Sequence, residues 1–181
     1  LAHAFLTLYT VTADRKWLAR AEETAKFAAE KFKGEVGDLT FVRPLGEKLV
    51  PKPQVDENTA FARLTNLLNH HTGQANYRTQ AEHAMAYLAA PGVAKKRGFL
   101  VGGILLADHE LNTPPLHLTI VGGKSDAKAR ELFAAARALP EPYQRLEWSD
   151  PREPKLPDPD CEFPPPGRPP PPRRPESLAP P

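Results

Sequence analysis

Leu67-Leu68-Asn69-His70-His71-Thr72-Gly73-Gln74-Ala75-Asn76-Tyr77 is the stretch that decides the fold. It reads as helix, short turn, helix. Gly73 can take the left-handed conformation that ends a helix. The aromatic Tyr77 enters the next helix one turn later. The same grammar occurs sixty positions earlier: Leu8 aligns with Leu68, Thr12 with Thr72, and Trp17 with Tyr77. The shift also pairs Ala21-Glu22 with Ala81-Glu82 and Phe27 with Tyr87. In the first copy the turn is Thr12-Ala13-Asp14-Arg15. Trp17, Ala21, Thr24-Ala25 and Ala28 then recur at helical spacing. The chain is therefore built from helical hairpins.

A single hairpin has one apolar face too many, so hairpins stack, and about three are usually needed for a stable array. Two complete pairs are legible, with half of a third at residues 98–110. Leu1, Phe5, Leu8 and Val11 are already spaced for one helical face, with no N-cap before them. Further repeats, and the N-terminal domains of the same protein, are expected upstream. Leu1, Phe5 and Leu8 are then expected to lie partly exposed.

Residues 34–56 link the two pairs. A link of this length is uncommon unless it has a job. It contains Gly37, Gly46, Pro44, Pro51 and Pro53, and Leu39-Thr40-Phe41-Val42 reads as a short strand. After Pro114-Pro115 the pattern changes. Leu116-His117-Leu118-Thr119-Ile120-Val121 reads as a buried strand, Gly122-Gly123-Lys124-Ser125 as a turn, and residues 127–139 as an alanine-rich helix. Arg145-Leu146-Glu147-Trp148 reads as a second strand. From Pro151 onward proline dominates and little apolar material remains, which predicts a disordered or polyproline-like tail with no need for residues beyond Asp150 in folding. Three regions follow: hairpins over 1–112, a strand–helix–strand unit over 113–150, and a Pro/Arg-rich tail over 151–181.

The 24 basic and 22 acidic residues give a formal net charge of +2, so nothing pulls the chain towards nucleic acid or a membrane surface. The longest apolar run, residues 99–107, is about half of the roughly 20 residues that span a bilayer. Cys161 is the only cysteine, which rules out an internal disulfide and a multi-cysteine zinc site within these 181 residues. It fits a reducing compartment such as the cytoplasm.

The ordered set Gly37-Asp38, Asn58-Thr59, Leu67-Leu68, Thr72-Gly73, Tyr77 and Pro114-Pro115-Leu116-His117-Leu118-Thr119-Ile120-Val121-Gly122 resembles a known group. Its members carry an N-terminal thioredoxin-like domain followed by a six-hairpin helical toroid, and include the spermatogenesis-associated thioredoxin-domain proteins. The resemblance covers about residues 1–150. It implies a mainly α fold, part of an (α/α)6 toroid similar to N-acylglucosamine 2-epimerases and six-hairpin glycosidases, which bind sugars in the ring mouth. It also implies that the inter-hairpin link lines that mouth. The chain departs from the family where Val55-Asp56-Glu57-Asn58-Thr59 replaces the usual Pro-Ser-Gly-Asn-Ser. A paired-cysteine motif is absent, so no redox activity and no cofactor are expected of this stretch.

Candidate chemistry centres on the end of that link. Glycoside hydrolysis needs one carboxyl group as acid and another as base or nucleophile. Asp38, Asp56 and Glu57 are the candidate catalytic residues. Asn58, with both donor and acceptor, is the candidate ligand-binding residue for a sugar. Against this, Asp56 can simply cap the helix and Glu57 can favour its positive end. Trp17 and Tyr77 have rings that could stack on a sugar, but their equivalence across the repeat marks them as packing residues.

His70, His71 and His83 lack metal-ligand spacing, and closing a helix C-terminus suits His70 and His71 better. Gly122-Gly123-Lys124-Ser125 sits between strand and helix, as a phosphate loop does. It lacks the first glycine of that pattern, which leaves a tight turn with Ser125 or Asp126 as N-cap. Pro169, Pro172 and Arg174 match a ligand pattern for polyproline-binding grooves, a match that so proline-rich a tail produces by chance.

Overall fold

The computed structural model of the protein describes residues 1–34, 39–40 and 52–155. The hairpins are α1 (Ala2–Thr12) with α2 (Arg15–Phe32), and α3 (Val55–Thr72) with α4 (Ala75–Leu88). A short α5 (Pro91–Arg97) and α6 (Gly102–Asn112) follow. Then come β1 (Leu116–Val121), α7 (Ala127–Arg137) and β2 (Gln144–Ser149). The fold is mainly helical, with one small two-stranded parallel sheet. No described helix is long and apolar enough to cross a membrane.

The sixty-residue repeat is visible in the hydrogen bonds. Thr12 Oγ1 donates to Leu8 O and Thr72 Oγ1 donates to Leu68 O. The amides of Asp14 and Gln74 donate to those same hydroxyl oxygens. Ala13 N donates to Tyr9 O, and Gly73 N to Asn69 O. Ala13 and Gly73 both take left-handed backbone, with φ of 52° and 68°. Each helix end thus satisfies its last carbonyls through one turn chemistry, and the threonine serves both sides of it.

Helix α3 lies at the centre. On one side, Leu64 and Leu68 pack with Ala2, Leu6, Tyr9, Leu18, Ala21, Ala25 and Tyr77. On the other, Phe61 and Ala62 pack with Ala84, Met85, Leu88, Ile104 and Ala107. The buried stripe of α1 is Ala2, Leu6 and Tyr9. Leu1, Leu8 and Val11 are exposed, and Phe5 is half-buried against Trp17. The equivalence of Leu8 and Leu68 shows the difference that position makes: 38% exposed in the first hairpin, 0% in the second.

Several local expectations change. Residues 98–110 form a helix only from Gly102, and α5 precedes it. Lys33 and Leu39 form an isolated antiparallel bridge, while Phe41 and Val42 lie outside the described residues, as does everything from residue 156. β1 is not a buried strand: its ends are exposed and its middle only partly covered. With two strands, the sheet cannot bury both faces along their full length.

The sheet has an unusual division of labour. Leu118, Ile120, Leu146 and Trp148 face α7, meeting Ala129, Phe133 and Ala136. The alternate positions, His117, Thr119, Arg145 and Glu147, form a polar layer, with Arg145 and Glu147 almost fully buried. The unit also donates to the end of α1: Lys124 Nζ to Ala13 O at 3.2 Å and Arg137 NH1 to Val11 O at 3.0 Å. Cations on free helix carbonyls favour this docking. Lys124 is therefore a staple between units rather than a phosphate ligand, and Asp126 is the N-cap of α7, accepting from Lys128 N.

The fold extends past the point where proline density begins. Glu153 pairs with Arg15 at 3.2 Å and with Lys124 at 2.6 Å, tying residues 151–155 back to α2 and the turn after β1. Two stability outcomes follow. Gly73→Ala forces a side chain into left-handed backbone and should cost about 1 kcal/mol in urea unfolding. Truncation after Asp150 should lower stability by up to about 1 kcal/mol relative to truncation after Lys155, through loss of the Glu153 pairs.

Candidate functional site

Two polar clusters sit at opposite ends of α3. The first is a cleft of about 290 Å³ lined by His3, Asp56, Thr59, Ala60 and Arg63. It lies at the N-terminal ends of α1 and α3, with the first turn of α6 alongside: a Cβ added at Gly103 would meet Thr59 Cγ2 at 3.5 Å. The helix packing described above places all five lining residues.

Arg63 is held by Glu110 of α6 in a fork. Nε donates to Oε2 and NH2 to Oε1, both at 2.7 Å. Such bidentate pairs fix geometry as well as charge. The Glu110 bond raises the Arg63 pKa above its ordinary value, so the guanidinium stays charged. Below it, Asn66 Nδ2 donates to Glu110 O and to Tyr143 Oη, both at 2.8 Å. His3 Nε2 sits 2.7 Å from Ala60 O. A carbonyl only accepts, so this nitrogen carries the proton, and in the neutral ring Nδ1 is then the acceptor. Partial burial lowers the His3 pKa, and the Arg63 charge adds to that; the Ala60 bond works against both. The net shift of His3 is downward, which favours the neutral ring.

Of the residues named from sequence, Asp56, Glu57 and Asn58 lie among the described residues, and these three do not share one pocket. Asp56 lines the cleft and is solvent-exposed, with Arg97 bonded to its Oδ1. It is not the N-cap, because α3 is entered through Gln54, whose side chain makes no capping bond. Glu57 is exposed on the first turn of α3 and does not line the cleft. Asn58 is fully buried. Its amide donates to Leu39 O at 2.9 Å and accepts from Leu39 N at 2.8 Å, and it also donates to Gln54 O. Asn58 therefore pins the inter-hairpin link, with its hydrogen-bonding capacity spent on backbone. Asp38 lies outside the described residues.

Sequence reading missed His3, Thr59 and Arg63. A signal existed: His3 and Arg63 are themselves sixty positions apart, the same step that relates the hairpins. Two polar residues at one repeat position, next to apolar stripes, mark a shared surface. Glu110 had no such signal, because its partner is 47 positions away.

The second cluster joins the helices to the sheet. Glu147 Oε1 lies 3.2 Å from His71 Nδ1, and Oε2 lies 3.2 Å from His117 Nε2. Arg145 NH2 is 2.9 Å from Oε2. His71 is fully buried, with the Tyr9 ring edge-on at a centroid distance of 5.3 Å. Its role is thus larger than closing a helix C-terminus. Thr119 Oγ1 lies 3.0 Å from His117 Nε2, the same nitrogen that meets Glu147. A hydroxyl–imidazole–carboxylate triad relays through both ring nitrogens, so this is not one. Among the described residues, no three His, Cys, Asp or Glu side chains are arranged to hold a metal ion. The cluster is a docking joint.

Trp17 stacks on Phe5, with ring centroids 5.8 Å apart, and Tyr77 is buried with its hydroxyl on Glu22, so both pack within the hairpins.

The joint sets a pH dependence. Burial lowers the His71 pKa, outweighing the Glu147 bond that raises it. Burial raises that of Glu147, but its bonds to His71 and Arg145 win and the net shift is downward. For both groups the unfolded chain binds protons more readily, so stability rises with pH. The His71 share is complete above about pH 6.5 and is lost as pH falls below that value; the Glu147 share is lost in more acid solution. The urea midpoint should fall between pH 7.5 and 5.5, and His71→Gln should flatten most of that fall.

No protein-family model and no curated protein matches this chain.

Proposed function

We propose that this chain is part of a sugar-handling helical toroid, with α1, α3 and α6 as inner helices and the His3–Asp56–Thr59–Arg63 cleft as its share of the binding site. The observation that carries the proposal is the meeting of a histidine, a carboxylate and a fixed guanidinium on one cleft of about 290 Å³. Hydroxyl-rich ligands call for this mixture of donors and acceptors. The resemblance to sugar-binding toroids points the same way.

Chemistry of the epimerase type suits the cleft better than hydrolysis. Hydrolysis needs two carboxyl groups across the scissile bond. Among the described residues only Asp56 supplies one to the cleft lining. His3, in its neutral form with Nδ1 as acceptor, can take a proton from carbon next to a sugar carbonyl and return it. Arg63 is placed to hold a ligand oxygen while Glu110 keeps its orientation. A second reading, a scaffold that binds a sugar or a protein segment without turnover, is favoured by the Arg97 bond to Asp56, which already offsets that carboxylate.

One experiment separates the two. The chain is incubated with reducing sugars in D2O and deuterium uptake next to the carbonyl is followed by NMR. Uptake that disappears in His3→Gln, with binding retained, is the enzymatic outcome. Binding without uptake is the scaffold outcome. Asp56→Asn should weaken sugar binding about tenfold in either case. Unchanged affinity in Asp56→Asn would remove the cleft from consideration.

A further inference from the structure

The segment between α5 and α6 is fixed at both ends to the cleft. Arg97 bonds Asp56, and Gly103 lies against Thr59. Between them Phe99 is 105% exposed and Leu100 is 74% exposed. The exposure is built into the backbone. Gly98 has φ of 54° and ψ of −120°, a combination that side-chain-bearing residues avoid, and Leu100 N then donates to Arg97 O. A glycine turn therefore lifts an aromatic ring and a leucine into solvent beside a polar cleft. Isolated exposed apolar residues need no explanation, but two adjacent large ones on a pinned turn form a surface that binding can cover.

We infer that residues 97–103 are the rim of the ligand site, and that Phe99 is the platform for the apolar C–H face of a sugar ring whose hydroxyls reach His3, Asp56 and Arg63. The inference rests on the cleft reading above and adds to it the residue that selects ring-shaped ligands. The occupant is argued from continuity: the two ends of the turn touch Asp56 and Thr59, which line the polar cleft, so whatever fills the cleft has the turn at its edge. A pyranose presents both chemistries at once, hydroxyls at its equator and C–H groups on its faces. The negative face of an aromatic ring attracts those C–H groups. Two other covers compete. Lys95 and Lys96 adjoin the turn and could bring it to an anionic membrane, and a second copy could pack on it.

The test uses the full 181-residue chain with D-glucose, D-mannose and N-acetyl-D-glucosamine as probes. Phe99→Ala should weaken the best-bound probe about fivefold to tenfold without changing thermal stability, since the ring is fully exposed among the described residues. Phe99→Trp should restore affinity, and its fluorescence should shift on sugar addition beyond any change in the parent. If Asp56→Asn weakens binding but Phe99→Ala does not, the platform is wrong and the cleft reading stands. If no probe binds the parent chain, both fall. Co-sedimentation with phosphatidylserine-containing vesicles that Phe99→Ala abolishes, or a dimer that it dissolves, with sugar affinity unaffected, would overturn the platform in favour of that partner.

Discussion

Helix α3 is buried on several sides, and its buried polar side chains have no water to bond. Leaving such a side chain wholly unpaired costs more than a made bond returns, so the partner that each one finds decides how it is turned. Asn58 takes the backbone of Leu39, Asn66 takes Glu110 O and Tyr143, and His71 takes Glu147. These bonds reach the inter-hairpin link, α6, the approach to β2, and β2 itself. Apolar packing holds the helices close, but it is non-directional; the polar bonds of α3 specify which neighbour sits where.

That constraint shapes the two ends differently. At the C-terminal end the polar groups turn inward on one another, and the sheet face that meets the hairpins is its charged face. The apolar face belongs to α7. Arg145 and Glu147 are buried together with His71, and the docking remains specific because removing any one leaves a charge or a lone pair without compensation. At the N-terminal end the same helix leaves polar groups open to solvent. Glu110 fixes Arg63 and Ala60 orients His3, so both side chains on the cleft wall are held by the fold itself. The difference between joint and site is what covers each group, since both ends carry histidine, arginine and carboxylate.

The helical stack has apolar surface left over at its margins. Leu1, Leu8 and Val11 on α1, and Leu105 and Leu106 on α6, are exposed. In a hairpin array each unit covers a face of its neighbour, and a margin has one neighbour fewer. Leu8 and Leu68 make the point within one chain: the same residue at the same repeat position is exposed or buried according to whether a hairpin lies in front of it.

The hairpins were legible in the sequence because their signals are local. Thr12 and Thr72, Ala13 and Gly73, and the aromatic one turn later all act within one turn of a helix end, so spacing alone reveals them. The strand–helix–strand order followed from a run of six residues at 116–121, a run of four at 145–148, and the glycine and proline between them. The candidate site was read only in part. Asp56 reaches the cleft, but Asn58, chemically suited to a ligand, is turned to Leu39 by a link whose path no local rule gives. Residue type says what a side chain can bond, and long-range packing decides what it meets. Glu110 and Glu147 look alike in sequence, and only the tertiary structure set one behind an arginine at a cleft and the other between two histidines in a joint. Their partners lie 47 and 76 positions away, distances at which a sequence pattern carries no geometry.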